Sequence, residues 1–452
     1  MFAELERVRF SSDASYMAPI LTMSGQTELD LGFESATAPP TPRHCNSLSQ
    51  ELAAFNEFGE ATRMLSTNAV GEEGGSISCP TYVNEFWTSK QRAAHRLHEI
   101  SYRACFKPQL PRFFIGRLTE PGDAVYDPFM GRGTTPLEAA FMGRVPMGND
   151  INPLSKALLA PRLAPPRWQD VEARIAEIDF SQHDEFPEDL LVFYHPDTLR
   201  EICALKRHLL TREATGDFDD ADAWIRMIAL NRLTGHSPGF FSVYTLPPNQ
   251  AVSVKSQIKI NAKRNQTPPR RDVPKLILKK SRSLLGAITD SERRSLNVVR
   301  EHSKLLTGKA DKAIGIPDES VSLVVTSPPF LDVVDYAGDN WLRCWFIGVD
   351  PASVEISVPK NIETWRGIMT GVFSDLKRVL KPGGHVAFEV GEVRGGKVLL
   401  EQETLPCGID AGLEPVLVMI NDQQFTKTAN CWGVDNQAKG TNTNRIVVFR
   451  KG

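Results

Sequence analysis

No stretch of this 452-residue chain is apolar for long enough to cross a bilayer, and Met1 to Arg9 lacks the basic patch and apolar core of a secretory signal. The sequence therefore predicts a protein that contacts no membrane and stays in the cytoplasm. Its cysteines number seven, an odd count, and they are scattered and never form C-x-x-C, so neither a disulfide framework nor a zinc site is expected. His95, His98, His236, His302 and His385 show no metal-ligand spacing, and no metal is predicted. Missing too are the fingerprint G-x-G-x-x-G and a Lys-Ser/Thr pair after glycines, which counts against a standard dinucleotide or P-loop phosphate site. No internal repeat is visible.

Net charge is also nearly absent: 52 Lys and Arg against 55 Asp and Glu give −3. The sum hides an uneven distribution. Between Ala251 and Leu285 lie Lys255, Lys259, Lys263, Arg264, Arg270 and Arg271, with four further basic residues behind them and only Asp272 opposed. Such a run neutralises phosphates, and Asn249, Gln250, Gln257, Asn261, Asn265 and Gln266 beside it are candidates for base edges.

The length implies a catalytic domain plus an inserted module. Residues 1–78, rich in Ser, Thr, Gly, Pro and acids, predict a loosely ordered leader with one short helix near Gln50 to Arg63. Thr81 to Leu118 is expected to be largely helical. Ala124 to Phe129 then reads as a strand followed by a glycine loop. Thr135, Pro136 and Glu138 form a T-x-x-E start signal for a helix that Gly143 stops. Val145 to Asp150 reads as a second buried strand ending in an acid, as in a dinucleotide-type β-α-β unit. Residues 79–163 thus form the first part of the catalytic domain, 164–300 a helical and basic insertion, and 301–452 the second part. That last part has a strand at Val321 to Thr326, a helix from Thr364 to Leu380, the strand HVAFEV, and a closing pair near Glu414 to Ile420 and Arg445 to Phe449.

Two constellations carry chemistry. In DPFMGRGTT the glycines let backbone N–H groups approach a ligand. In Thr326-Ser327-Pro328-Pro329-Phe330 a rigid loop follows an apolar strand, where ligands bind in α/β sheets. An exocyclic base amine is a poor nucleophile because its lone pair is delocalised into the ring. Acceptors that hold both N–H bonds, the Ser327 hydroxyl and the Pro328 carbonyl, favour a tetrahedral nitrogen, and neither proline offers a competing N–H. Phe330 supplies a face for a base taken out of the stack.

This pair of motifs resembles the DNA amino-methyltransferases, which modify cytosine N4 or adenine N6, over most of residues 81 to 452. The resemblance implies a class I S-adenosylmethionine-dependent methyltransferase, an α/β fold with a Rossmann-like seven-stranded sheet, whose insertion reads the DNA target. It implies an S-adenosylmethionine site built from Asp127, Pro128, Phe129, Gly131, Gly133, Thr134, Thr135, Asp150 and Asn152, with Asp127 by the methionine ammonium and Asp150 at the ribose hydroxyls. HEISYRACFKPQLPRFFI resembles the segment that closes over the methionine part, placing Lys107, Pro108 and Gln109 near the cofactor. Ser327 at the head of the tetrad goes with cytosine N4. Two departures stand out: Phe330 replaces the commoner Tyr, and Gly308-Lys309-Ala310-Asp311 replaces Gly-Asp-Ala, leaving open whether Asp311 supplies the adenine-side acid. By resemblance the partners are double-stranded DNA and a cognate restriction endonuclease, without direct contact to the latter. Adenine-N6 methylation, RNA base methylation and a silent DNA-binding relative are the alternatives.

Overall fold

The computed structural model describes residues 45–71, 74–88, 94–103, 105–181, 185–245, 251–329, 336–354, 359, 361–393, 398–422 and 443–452. Helix α1 (Cys45–Ala54) precedes the antiparallel strands β1 (Arg63–Val70) and β2 (Ser76–Asn84). Helix α2 (Gln109–Leu118) leads into β3 (Ala124–Asp127), α3 (Thr134–Phe141), β4 (Val145–Asp150) and α4 (Pro153–Leu163). The helices α5 (Trp168–Glu177), α6 (Pro196–Thr215), α7 (Asp220–Arg232), α8 (Val254–Arg264), α9 (Val273–Leu285) and α10 (Asp290–Arg300) come next. After them run β5 (Lys304–Thr307), β6 (Val321–Thr326), α11 (Tyr336–Phe346), α12 (Ile362–Val379) and β7 (Leu380–Val390). A short ladder of β8 (Glu392–Val393) and β9 (Val398–Leu399), then α13 (Leu400–Asp410), β10 (Glu414–Asp422) and β11 (Thr443–Arg450), complete the described chain.

The main sheet has the order β1-β2-β10-β11-β7-β6-β3-β4-β5. Strands β3 to β7 are mutually parallel, while β11 is antiparallel to both of its neighbours. This is the expected class I α/β architecture. Its seven strands run from β10 to β5, and β2 and β1 extend them at one edge. The chain leaves β3 for β4 on one side, and β6 flanks β3 on the other, so a crevice opens beyond the carboxyl ends of these strands.

Apolar residues alternate between two buried faces. Val125, Leu323, Val325, Ala387, Ile446 and Val448 face α1 and α2. Tyr126, Val324, Val386, Phe388, Val447 and Phe449 face α12 and α13. Helices on both faces bury both sets, which is why these strands read as nearly continuous apolar runs. The helices between β4 and β5 pack with α4 and α11 around a third core centred on Trp224, Ile228, Phe193 and Phe346. No described helix is long and apolar enough to cross a membrane.

Strands β4 and β6 have the bounds read from sequence, and α12 and the β10–β11 pair fall where expected. Three local expectations are corrected. Residues 63–84, assigned to a loose leader and to helix, form β1 and β2. Their polar residues concealed the alternation, and a buried Thr67–Thr81 hydroxyl pair at 2.7 Å joins the strands where apolar contacts would be usual. Thr135 and Glu138 form no capping box. Gly133, with a left-handed φ of 79°, is the N-cap of α3, and Thr135 donates instead to the Val325 carbonyl at 3.0 Å. Glu138 is buried and bound to His98 at 2.7 Å and Arg112 at 2.9 Å. Cys407, read as a loop residue, lies inside α13, its thiol pushed up to about 11 by burial.

Candidate active site

The crevice beyond β3, β4, β5 and β6 holds a cavity of about 1300 Å³ including its open mouth. Of the sequence-derived candidates, Pro128, Phe129, Gly131, Thr134, Asp150, Asn152, Asp311, Ser327 and Pro329 line it. Both motifs therefore meet in one space, although almost 200 residues separate them.

Backbone geometry shapes the floor. Gly131 and Gly133 have φ of 48° and 79°, values that side-chain-bearing residues rarely adopt. A Cβ on Gly133 would also meet Leu159 side-chain carbons at 2.6 to 2.9 Å, so the loop can lie close to α4 only with glycine there. The Gly131 N–H donates to Asp150 Oδ2 at 2.8 Å, and the Asn152 N–H donates to Asp150 Oδ1 at 2.9 Å. Asp150 thus ties the glycine loop to the start of α4. Burial pushes its carboxyl above the ordinary range, against the opposing pull of those two bonds. Each oxygen keeps further lone-pair capacity for a ligand hydroxyl. The loop after β5 docks alongside: Gly308 N–H donates to the Asp150 carbonyl at 3.0 Å, and Asn149 Nδ2 donates to the Gly308 carbonyl at 2.9 Å.

Asp127, expected beside a ligand ammonium, does not line the cavity. Its Oδ1 accepts from Thr326 Oγ1 at 2.6 Å and from the Phe129 N–H at 3.0 Å. Its carboxyl is raised to about 7, chiefly by burial. It joins the ends of β3 and β6 beneath the site. Gly133, Thr135 and Pro328 likewise fall outside the lining, and Phe330 lies outside the described residues.

Lys107, Pro108 and Gln109 sit at the start of α2 and do not line the cavity. Tyr102, Arg103, Cys105 and Phe106 do so in their place. The sequence signal for these was the aromatic pair in SYRACF. Arg132, from the glycine loop, holds this region by donating to the carbonyls of His98 at 3.4 Å, Ile100 at 3.1 Å and Phe106 at 3.3 Å. Helix α11 grips it from the other side, through Arg103 to Asp339 at 2.9 Å and Arg343 to the Ser101 carbonyl at 2.8 Å.

Ser327 and Pro329 sit at the end of β6, and two residues missed in the sequence contact them. Glu389 on β7 is buried; its carboxyl is pushed up by that burial and accepts from the Ser327 hydroxyl and the Asn444 amide, the latter at 3.0 Å. An acid inside the apolar strand HVAFEV was the available signal. Trp365 on α12 is wholly buried and donates from Nε1 to the Pro329 carbonyl at 3.1 Å.

The basic segment divides in two. Lys255, Lys259 and Lys263, at intervals of four on α8, are exposed on one face. The arginines are engaged within the chain: Arg264 covers the Tyr244 ring at 3.8 Å, Arg270 pairs with Glu201, and the Arg271 backbone is bound at both ends by Thr198 Oγ1. The amides expected at base edges are also engaged. Gln257 is fully buried, Asn261 donates to the Val192 carbonyl at 2.7 Å, and Gln266 donates to the Tyr244 carbonyl at 2.9 Å. Asn265 takes the left-handed cap position that ends α8, while Asn249 and Gln250 lie outside the described residues. Among the described residues no cluster of three or more His, Cys, Asp or Glu could hold a metal ion.

Comparison with known proteins adds an independent line. A family model described as DNA methylase, of the N6/N4 methyltransferase type, matches residues 66–159. The Type II methyltransferase M.MvaI of Kocuria varians is 28% identical over 148 residues, which are 32% of this chain and 29% of that protein. The Type II methyltransferase M.BsoBI of Geobacillus stearothermophilus is 22% identical over 373 residues, 73% of this chain and 67% of that one. The match thus spans less than a third of M.MvaI. Among solved structures, a TehB-like SAM-dependent methyltransferase from Corynebacterium glutamicum aligns over 76% of this chain and 87% of its own, at 9% identity and a TM-score of 0.27.

Proposed function

We propose that this chain, whose residues 66–159 match the N6/N4 DNA methylase family model and which is similar to Type II methyltransferases, transfers the methyl group of S-adenosylmethionine to the exocyclic N4 of cytosine in duplex DNA. The observation that carries this reading is the position of Ser327 at the end of β6, lining the same cavity as Gly131 and Asp150.

The residues fit the cofactor. Asp150 offers acceptor capacity for ribose hydroxyls, the glycine loop brings backbone close to the cavity, and Phe129, Ile368, Met369 and Val372 supply apolar surface for a flat ring. When bound, S-adenosylmethionine supplies an electrophilic methyl group next to a sulfonium. The protein's own residues prepare the nucleophile. The Ser327 hydroxyl and the Pro328 carbonyl accept the two N–H bonds of the amine, which draws its lone pair out of conjugation with the ring. On taking that methyl group the amine nitrogen would carry a positive charge, which it would relieve by giving one proton to solvent water. Glu389, accepting from Ser327, orients that hydroxyl's lone pairs toward the amine. Holding both reactants in one crevice accounts for the catalysis without a covalent intermediate on the enzyme.

The exposed lysines of α8 meet the DNA backbone, the target base leaves the stack to reach the cavity, and the enzyme works in the cytoplasm as the modifying half of a restriction-modification system. The test is to incubate the protein with mixed-sequence duplex and isotope-labelled S-adenosylmethionine, digest to nucleosides and identify the labelled product by mass spectrometry. N4-methylcytosine is expected. N6-methyladenine would overturn the choice of base while keeping the chemistry, and label in RNA but not in DNA would overturn the substrate.

A further inference from the structure

We infer that Trp365 is a positioning residue for methyl transfer: its indole N–H, by holding the Pro329 carbonyl, sets the direction in which the Pro328 carbonyl meets the target amine. This rests on the amine-methylation reading above.

The tetrad has a mechanical weakness that follows from its composition. Two successive prolines have no N–H with which to anchor the loop to a neighbouring strand. Their rings fix φ near about −65°, but ψ remains free, and rotation about ψ swings each carbonyl. A loop that must aim one carbonyl at a substrate therefore needs an outside donor on the other. Trp365 Nε1 supplies it, at 3.1 Å to the Pro329 carbonyl. Because rotation about ψ of Pro329 would swing its carbonyl off the indole, the bond restrains ψ while the ring fixes φ, and the Pro329 carbonyl and the peptide plane that carries the Pro328 carbonyl are locked relative to one another. One hydrogen bond thus governs two peptide units.

The donor is itself immobile. Trp365 is wholly buried in the core between α12 and the sheet, and an indole N–H can only donate. The next turn of the same helix places Ile368 and Met369 on the cavity wall, and Val372 joins them one turn further on. Helix α12 therefore touches the space for the methyl donor with one turn and the acceptor loop with the turn before it. A single rigid element sets the distance between them.

Replacing Trp365 with β-(3-benzothienyl)alanine by amber suppression removes the N–H while keeping the ring shape, so the core stays filled. The expected result is a loss in kcat of about 10- to 100-fold, the scale of an ångström-level misplacement of reacting groups. With kcat counted per titrated S-adenosylmethionine-binding site, so that an unfolded fraction cannot account for the loss, KM for duplex DNA and the dissociation constant for S-adenosylmethionine are expected to stay within about twofold. Trp365→Phe should lower kcat in the same direction. Undiminished kcat in the benzothienyl variant would overturn the inference.

A second readout is independent of turnover. In the wild-type chain labelled with 15N-tryptophan, the indole resonance that disappears in Trp365→Phe should exchange with solvent far more slowly than exposed indoles. Fast exchange of that resonance would overturn the hydrogen bond itself. Should the wild type methylate no DNA, the proposed function falls, while the indole resonance still decides whether the loop is held as described.

Discussion

Asp150→Asn changes one atom of the side chain and tests whether the acid at the end of β4 organises the cofactor end of the cavity. In the native protein its two oxygens accept one backbone N–H each, from Gly131 at 2.8 Å and Asn152 at 2.9 Å. An asparagine can satisfy only one of them. Its amide nitrogen would face the other N–H, donor against donor. A hydrogen bond to a charged group contributes about 1.5–3 kcal/mol, and the repelled N–H loses that much. Because Gly131 sits in the glycine loop and lines the cavity, the loop must move to relieve the conflict. A loss of 1.5–3 kcal/mol corresponds to a roughly 10- to 150-fold weaker affinity for S-adenosylmethionine. Titration calorimetry with S-adenosylmethionine, and with its demethylated product as a control for the methyl group, measures this directly. Both should weaken together, since the ribose is common to them. The reasoning is refuted if Asp150→Asn binds both ligands within about threefold of the wild type.

Ser327→Ala should lower turnover on DNA by about 100-fold or more with little change in cofactor affinity, because the hydroxyl addresses the amine alone; normal turnover would remove Ser327 from the chemistry. Glu389→Gln retains an acceptor for Ser327 but ends the titration of a buried carboxyl that burial raises, so the acid limb of the kcat profile with pH should shift or vanish; an unchanged profile would detach Glu389 from Ser327. Asp127, raised from 3.8 to about 7 by burial, holds its proton more tightly folded than unfolded, so its contribution to stability falls as pH rises from about 4 to about 7. That rise corresponds to about 4 kcal/mol. Asp127→Asn should therefore gain stability relative to wild type across that window, measured by urea midpoints, and parallel curves would contradict the burial argument. Replacing Lys255, Lys259 and Lys263 together with Ala should reduce the salt slope of DNA binding by up to about 2.7, whereas an unaltered slope would take α8 off the DNA surface.

The arginines of the basic segment have partners that a charge run alone does not reveal. Arg264 and Arg270 look equivalent to Lys263 along the chain, yet one stacks on Tyr244 and the other pairs with Glu201. Sequence gives the number of cations and the helical interval, and the interval did place the three lysines on one face. Which cations are spent on internal partners depends on Tyr244 and Glu201, 20 and 69 residues away. The amides beside them are also engaged within the chain: Gln257, Asn261 and Gln266 donate to the half-buried carbonyls of Tyr244 and Val192.

By itself the sequence determined the parts governed by short-range rules. Left-handed turns that only glycine tolerates marked the loop at Gly131 and Gly133. Mostly apolar runs marked β4 and β6 because both faces of a parallel sheet are covered, and the rigid Ser-Pro-Pro stop fell directly after β6. Tertiary structure decided what lies against these parts. The strand order set Glu389 beside Ser327, and the packing of α12 put the Trp365 indole on the Pro329 carbonyl. It also moved Asp127 beneath the floor and brought Tyr102 and Phe106 to the wall in place of Lys107. Local propensity acts over a few residues and leaves a periodic trace, whereas a contact between strands that are neighbours in space but tens of residues apart leaves none.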